Sequence, residues 1–227
     1  MVRVGAEWVD NIPNNLLFLG DDITCGFYNA MVSAGHEGIF LWGDSDAWET
    51  DFRDPSLGGD SHNWIENVHF AYFYNHGWNN GHNFEIYFSS NHSATSSNTS
   101  SWRLGSKILK WIAFETCDLL NNLTAEEINN VWVPPWSGVH LVMGFIGNGF
   151  DVHPEEGANF GNAIAWGGAI GPAWLGNCWH TDYDDNPVVI AFGATVDEAC
   201  NRRDNETLSW QYWNISSLGA FAWAAWF

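Results

Sequence analysis

A histidine and a cysteine each stand just after an apolar run of this sequence. His76 follows the run at residues 68–74 and precedes Gly77, and Cys117 follows the run at residues 108–114. Runs this rich in aromatic and branched residues are typical of buried parallel strands. Functional groups in an open α/β sheet collect beyond the carboxyl ends of such strands. If the two runs are neighbouring strands, the imidazole and the thiol emerge at one edge, where the imidazole can generate a nucleophilic thiolate.

The rest of the chain predicts strands that alternate with helices. Strands are expected at residues 2–9, 39–42, 68–74, 84–88, 108–116, 139–145 and 187–193, and helices at residues 23–34, 125–131 and 159–174. Alternation of this kind predicts an α/β fold, with helices on both faces of a mostly parallel sheet in a three-layer α/β/α sandwich.

We expect residues 1–227 to form a single domain, with two segments that stand apart in composition. Residues 89–101 are rich in Ser and Asn, which predicts an exposed loop. Residues 210–227 are almost uniformly aromatic or small, which predicts either a docking strand or an oligomer contact.

The charge and hydropathy of the chain exclude some partners. The formal net charge is −20, from 27 acidic and 7 basic residues. Such a field repels phosphate backbones and anionic lipid surfaces, so we expect no nucleic-acid binding. No apolar run is long enough to span a bilayer, and the chain starts without a signal-peptide pattern. As it stands the chain is expected in the cytoplasm, or outside the cell if a leader was removed.

The two blocks around His76 and Cys117 resemble those of a known peptidase group. Residues 72–77 read Tyr-Phe-Tyr-Asn-His-Gly, and residues 112–117 read Ile-Ala-Phe-Glu-Thr-Cys. This order is similar to the caspase-like cysteine peptidases, which include caspases, legumains, gingipains and clostripains. The resemblance implies a caspase-like fold, a Cys117 nucleophile and a His76 base. It also implies an oxyanion site made by the backbone N–H groups of Gly77 and Cys117, and glycine suits position 77 because a substrate carbonyl approaches the backbone there.

The aromatic excess predicts an apolar pocket beside His76. The chain has 16 Trp and 15 Phe, more than a core alone is expected to use. Four tryptophans follow predicted strand ends or lie in the loops there, and we expect at least two of them to line this pocket: Trp42, Trp48, Trp78 and Trp132.

Acidic residues at positions 44–51, including Asp44 and Asp46, suit a calcium ion, a cationic substrate side chain or a solvated loop. No sequence motif supports a zinc site or a cofactor. Cys178 and Cys200 are left open as a disulfide pair or as thiols.

Three functions are consistent with these features. The first is a cysteine-dependent hydrolase, foremost a peptidase, with the Cys117/His76 dyad and a preference for Lys or Arg if the acidic loop reaches its specificity pocket. The second is an enzyme on the same fold that processes an apolar small molecule in the tryptophan-lined pocket. The third is a non-catalytic interaction module that docks or oligomerises through its aromatic C-terminus.

Overall fold

A computed structural model describes residues 1–89, 95–122, 124–149, 152–180, 186–215 and 218–226. The strands of this part of the chain are β1 (Arg3–Trp8), β2 (Glu37–Gly43), β3 (Phe70–Tyr74), β4 (Gly77–Asn79), β5 (Phe84–Tyr87), β6 (Ser96–Asn98), β7 (Trp111–Glu115), β8 (Leu141–Phe145), β9 (Pro187–Gly193) and β10 (Ala220–Ala225). Its α-helices are α1 (Gly20–Ser33), α2 (Ala125–Val131), α3 (Glu156–Ala165), α4 (Ile170–Asn177) and α5 (Val196–Asn205).

A seven-stranded, mostly parallel sheet forms the centre of the molecule. Its strand order is β10-β9-β8-β7-β3-β1-β2, and β4, β5 and β6 form a separate three-stranded sheet. The five adjacent strands β8, β7, β3, β1 and β2 pair in parallel. In contrast, β9 pairs antiparallel with both β8 and β10. The expected α/β class with a mostly parallel sheet is therefore correct.

Each face of the large sheet has its own hydrophobic core. Along β3, Phe70 and Tyr72 face a core shared with α1, α3 and α4, and Ala71 and Phe73 face the other core. This alternation follows from the two-residue period of a strand, and both faces of β3 are covered, so all five of its residues are buried.

The two faces are covered by different elements, although each has helical structure packed on it. Four helices, α1, α3, α4 and α5, cover one face. The opposite core is closed by the small β4–β6 sheet, the short helix α2 and several single 3₁₀ turns.

The segment expected as an exposed loop at residues 89–101 contains a strand and two buried residues in its described part. Ser96–Asn98 is strand β6, and Ser97 is buried. Its hydroxyl has a partner there, because Oγ accepts a hydrogen bond of 2.8 Å from the indole N–H of Trp102. Thr99 is also buried and accepts from the backbone N–H of Phe84. Serine and threonine can thus be buried in a core when their hydroxyl groups accept hydrogen bonds from buried donors. Residues 90–94 of this segment lie outside the described residues.

The helix expected at residues 159–174 is two helices, α3 and α4. The chain breaks between them at Gly167, which has a left-handed φ of +92° and therefore cannot continue an α-helix.

The C-terminal aromatic segment docks on the sheet. Within residues 210–227, strand β10 pairs along its length with β9 and forms one edge of the large sheet. Trp223 and Trp226 on this segment remain partly exposed. In the described parts of the chain, every helix is too short or too polar to cross a lipid bilayer.

Candidate functional site

The two blocks identified in the sequence end side by side. Strands β3 and β7 are parallel neighbours, and their last residues, Tyr74 and Glu115, are paired in register. His76 and Cys117 each follow two residues later, so both leave the sheet at the same level of its carboxyl edge. Both residues lie on the wall of one small pocket of about 70 Å³, which we call the nucleophile pocket.

Backbone packing at Gly77 fixes the distance between the two blocks. A Cβ atom at Gly77 would lie 2.5 Å from the backbone oxygen of Cys117 and 2.8 Å from Thr116 Oγ1. Real Cβ contacts are never this short, so any side chain would push the two strand ends apart. Glycine is required here because the backbone of Cys117 approaches it closely, a reason that adds to the one expected from the sequence.

The His76 ring is held by a loop that the sequence did not single out. Residues 9–19 connect β1 to α1, and we call them the β1–α1 loop. The Nε2 atom of His76 lies 3.0 Å from the backbone oxygen of Asn15 in this loop. A carbonyl only accepts, so Nε2 must carry the hydrogen, and Nδ1 of a neutral ring then has a free lone pair. With this tautomer, the ring can accept a proton at Nδ1, on its edge away from the loop, as a general base must.

The β1–α1 loop is itself anchored by carboxylates. Oδ1 of Asp44 accepts hydrogen bonds of 2.9 Å from the backbone N–H groups of both Asp10 and Asn11, and Oδ2 accepts one of 2.6 Å from the Asn11 side chain. Asp10 in turn accepts from the N–H groups of Gly20 and Asp21, at the start of α1. The loop is therefore tied at its beginning to β2 and to the helix that follows it.

The Cys117 thiol lies against the loop after β8. Its Sγ is 3.5 Å from the backbone nitrogen of Gly149, which donates to it, and 3.6 Å from the Gly149 oxygen. The Gly149 N–H donates to the sulfur and the thiol donates to the Gly149 oxygen, so both contacts hold the side chain against this loop. Asp118, the next residue, has a left-handed φ of 55°, so the chain turns sharply directly after the thiol.

A buried acid and a phenol lie at the base of the nucleophile pocket. Glu115 lines the pocket, is only 7% exposed, and accepts a hydrogen bond of 2.5 Å from the hydroxyl of Tyr72. Burial, followed by the charge of Glu115, raises the pKa of Tyr72 well above its ordinary value. Tyr72 therefore stays a neutral donor to the Glu115 carboxyl group.

A second, larger pocket of about 560 Å³ also has His76 in its lining. We call it the aromatic pocket, and its lining includes the rings of Trp78 and Tyr87 together with Ile12 of the β1–α1 loop. His76 lines both pockets, whereas Cys117 lines only the nucleophile pocket. Trp78 is 48% exposed, an unusual state for so large an apolar ring.

Of the four tryptophans expected beside His76, the structure brings Trp78 there and places Trp132 elsewhere. Trp132 is 1% exposed and packs in the core against Phe84, Trp102 and Phe114. Its indole N–H donates to the backbone oxygen of Leu119, so it has the buried partner that a core tryptophan needs.

Trp42 and Trp48 lie after β2 and are engaged within their own region. The Trp42 ring contacts those of Phe40 and Trp64, with a centroid distance of 4.2 Å to Trp64. The Trp48 indole donates to the backbone oxygen of Ser45. Neither residue is part of the lining of the two pockets that contain His76.

The acidic residues expected to bind substrate have different surroundings. Asp44 anchors the β1–α1 loop, as described above, and Asp46 is exposed. Neither belongs to the lining of the pockets beside His76, so the acidic loop does not supply their charge. Within the described ranges, no three His, Cys, Asp or Glu side chains are arranged to hold a metal ion. None of the four cysteines, all of which are described, forms a disulfide.

Sequence reasoning missed three contributors to the site: Asn15, Glu115 and Gly149. Asn15 and Gly149 act through backbone atoms, which leave no signal in residue type. Glu115 stands in the quoted Glu-x-Cys block, and its position at the strand end was a signal that it shares the pocket.

Comparison with protein families gives one match. The model of a domain of unknown function, DUF6345, matches residues 6–219, which include both strand ends and both pockets. The chain belongs to this family. No curated protein matches the chain.

Proposed function

We propose that this protein is a cysteine-dependent hydrolase of the caspase-like kind, foremost a peptidase, with Cys117 as nucleophile and His76 as general base. The observation that carries the proposal is the shared pocket at the ends of two adjacent parallel strands, with His76 on one wall and Cys117 on another. The order of the blocks along the chain agrees with the resemblance to caspase-like peptidases.

The proposed chemistry gives roles to His76, Cys117 and the backbone of Gly77. Nδ1 of His76 takes the proton of Cys117, and the sulfur attacks the carbonyl carbon of the scissile amide to form a tetrahedral intermediate. The backbone N–H groups of Gly77 and Cys117 stabilise its oxyanion. When the C–N bond breaks, His76 returns the proton to the leaving amine. Water, deprotonated by His76, then hydrolyses the thioester and releases the acid and the free thiol.

The hydrogen bond to Asn15 explains how His76 can perform both proton transfers. The backbone oxygen of Asn15 fixes the ring orientation and stabilises the hydrogen on Nε2. When Nδ1 also gains a proton, the positive ring still has this acceptor, which lowers the cost of the charged intermediate.

A peptide-cleavage assay tests the proposal directly. The probe is a library of internally quenched peptides with randomised central residues. We expect wild-type protein to cleave members of it, Cys117→Ala to reduce cleavage to background, and His76→Ala to reduce it by about 10²- to 10⁴-fold. Cleavage that survives Cys117→Ala, or a wild-type protein that cleaves no member, would overturn the proposal.

Thiol labelling gives a second readout that needs no substrate. We expect iodoacetamide to modify Cys117 before Cys25 and Cys200, and His76→Ala to slow only the Cys117 reaction. Cys25 is a suitable control because burial, followed by the charges of Asp21 and Asp22, raises its thiol pKa. Labelling of Cys117 no faster than that of Cys25 would contradict an activated thiol.

The second candidate function, processing of an apolar small molecule, is favoured by the aromatic pocket alone. Its rings provide a surface on which an apolar ligand could be held beside the same dyad. A protein that cleaves no peptide in the library but whose tryptophan fluorescence is quenched by apolar amides or esters, with loss of quenching in Trp78→Ala, would favour this reading.

A further inference from the structure

The aromatic pocket and the nucleophile pocket share His76 and no other lining residue, and this arrangement orients a substrate. Cys117 lines only the nucleophile pocket, and His76 lines both. In an acyl transfer to sulfur, the acyl half of the substrate becomes bound to the nucleophile. The amine half departs towards the group that protonates it, which is His76.

The aromatic pocket therefore has the position of a leaving-group site. Its lining contains the imidazole of His76, then Gly77 and Trp78, with Ile12 and Tyr87, and it does not include Cys117. The amine half of a substrate that leaves past His76 would enter this space directly.

The lining of the pocket defines which side chain it suits. Trp78 and Glu85 are paired across β4 and β5, and Tyr87 follows Glu85 by two residues, so the three share one face of the small sheet. Phe84 and Ile86 on the other face are buried in the core. The outer face thus presents two aromatic rings, and Ile12 adds an aliphatic surface opposite them.

Charge near the pocket excludes one class of side chain. The carboxylate of Glu85 accepts hydrogen bonds from Ser96 Oγ at 2.6 Å and, at 3.4 Å, from the hydroxyl of Tyr87, which lines the pocket. An acidic side chain in the pocket would be repelled by this carboxylate and by the net charge of −20. An apolar ring there would instead cover Trp78, which is 48% exposed without it.

We propose that the aromatic pocket binds the side chain of the residue that follows the scissile bond, and that it selects large apolar or aromatic residues and rejects acidic ones. This assignment rests on the proposed peptidase function. It adds the direction in which a peptide lies across the dyad and a residue, Trp78, that determines specificity.

Peptides that differ at one position test the assignment. The probes are internally quenched peptides that share the acyl half of a cleaved library member and carry Phe, Leu, Ala or Asp directly after the scissile bond. We expect wild-type kcat/KM to be roughly 10- to 100-fold higher for Phe than for Ala, the range that burial of an aromatic ring supports, and lowest for Asp. Trp78→Ala should reduce the Phe-to-Ala ratio to less than about threefold, chiefly by lowering kcat/KM for the Phe peptide.

Trp223→Ala is the matched control, because Trp223 is also a partly exposed tryptophan on a strand but lies on β10 at the edge of the large sheet. This variant should keep the wild-type ratio.

Acyl transfer distinguishes a leaving-group site from any other site. Because each step is reversible, a pocket that holds the leaving amine also holds an added amine that attacks the thioester. We expect L-phenylalaninamide to capture the acyl-enzyme at least 10-fold better than L-alaninamide in wild type, and this advantage to disappear in Trp78→Ala.

Each outcome identifies which proposal fails. If wild type and Cys117→Ala both leave all peptides intact, the peptidase function is wrong. If wild type cleaves but shows no preference after the scissile bond, or keeps the preference and the amide selectivity in Trp78→Ala, the peptidase function stands and the assignment of the aromatic pocket is wrong.

Discussion

Glu7 is the residue whose surroundings are most costly for a charge. It lies in β1 with no solvent exposure, and neither of its carboxyl oxygens has a hydrogen-bond partner within the described residues. Burial, followed by the nearby carboxyl of Asp51, raises the pKa of Glu7 well above its ordinary value. Asp51 is also buried, and burial, together with the charges of Asp60 and Glu49, raises its pKa to about 7 against the opposing hydrogen bond from Trp48. The folded protein therefore holds protons in this region that the unfolded chain releases.

The direction of these shifts sets the pH dependence of stability. A carboxyl group with a higher pKa in the folded state binds its proton more tightly there, so its stabilising effect is complete at low pH. The effect is lost as the pH rises from about 3.8, the ordinary value for Asp51, through about 7. We expect Glu7→Gln to be more stable than wild type at pH 8 by about 1–3 kcal/mol, because an amide has no proton to lose as the pH rises. Each kcal/mol corresponds to about 2–4 °C in Tm.

Thermal unfolding between pH 4 and pH 8 measures this effect. Wild type and Glu7→Gln should have similar Tm values at pH 4 and should diverge as the pH rises. Glu126→Gln is the control, since Glu126 is exposed in the first turn of α2, and it should follow wild type. A Glu7→Gln variant that loses stability at pH 8 would mean that the Glu7 carboxylate has a stabilising partner at that pH.

At the scale of elements, the sequence predicted the strands well and the site loops poorly. The runs that form β3, β7, β8 and β9 are apolar on both faces. This pattern predicts a buried strand whatever elements pack against it. The same pattern correctly placed His76 and Cys117 at one sheet edge, because parallel strands that are neighbours end together. The β1–α1 loop was beyond prediction because it holds His76 through the Asn15 carbonyl, an atom that every residue type possesses.

The acidic loop after β2 has an element-level role that its composition did not indicate. Asp44 is an anchor of the β1–α1 loop, because its carboxylate accepts three hydrogen bonds from Asp10 and Asn11. We expect Asp44→Ala to free the beginning of this loop, to loosen the Asn15 contact with His76, and to lower kcat/KM for peptides by about 10-fold or more with a smaller change in KM. Asp46→Ala, two residues away at an exposed position, should change neither.

Hydrogen exchange checks the same role without a substrate. Peptides that cover residues 9–19 should exchange faster in Asp44→Ala, because the backbone N–H groups of Asp10 and Asn11 lose their acceptor. Asp44→Asn should restore most of the protection, since an amide oxygen also accepts and Asn tolerates the left-handed φ of 50° at this position. Unchanged exchange in Asp44→Ala would show that other contacts hold the loop.

At the scale of the whole molecule, the aromatic excess has two destinations. Trp102, Trp111, Trp132 and Trp174 are fully buried, so much of the excess builds the two cores. Several other tryptophans remain on the surface, among them Trp78, Trp166 and Trp213. Composition alone cannot separate these groups, because the same residue type serves a core and a pocket wall. The sequence placed four tryptophans near strand ends, and of these the structure brings Trp78 to the lining of the aromatic pocket.

Some of the few basic residues of the chain form ion pairs with acidic side chains near them. Arg202 of α5 is buried and donates to Glu206 at 3.0 Å and to Glu198 at 2.8 Å. Arg203 pairs with the adjacent Asp204. The surface is thus left with a large excess of carboxylates, from the total of 27 acidic against 7 basic residues.

This imbalance should make the stability of the folded protein depend on salt. Repulsion among carboxylates is stronger in the compact state than in the expanded chain, and it acts over a Debye length of about 30 Å at 0.01 M salt but only about 10 Å at 0.1 M. We expect Tm at pH 8 to rise by several degrees between 0.01 M and 0.3 M NaCl and then to level off, since little repulsion is left to screen. Sucrose, which acts by exclusion from the protein surface, should instead raise Tm steadily with concentration. A Tm that falls with NaCl would mean that attractive pairs such as Arg202 with Glu206 and Glu198 outweigh the repulsion, and a rise without a plateau would assign the effect to exclusion rather than to charge.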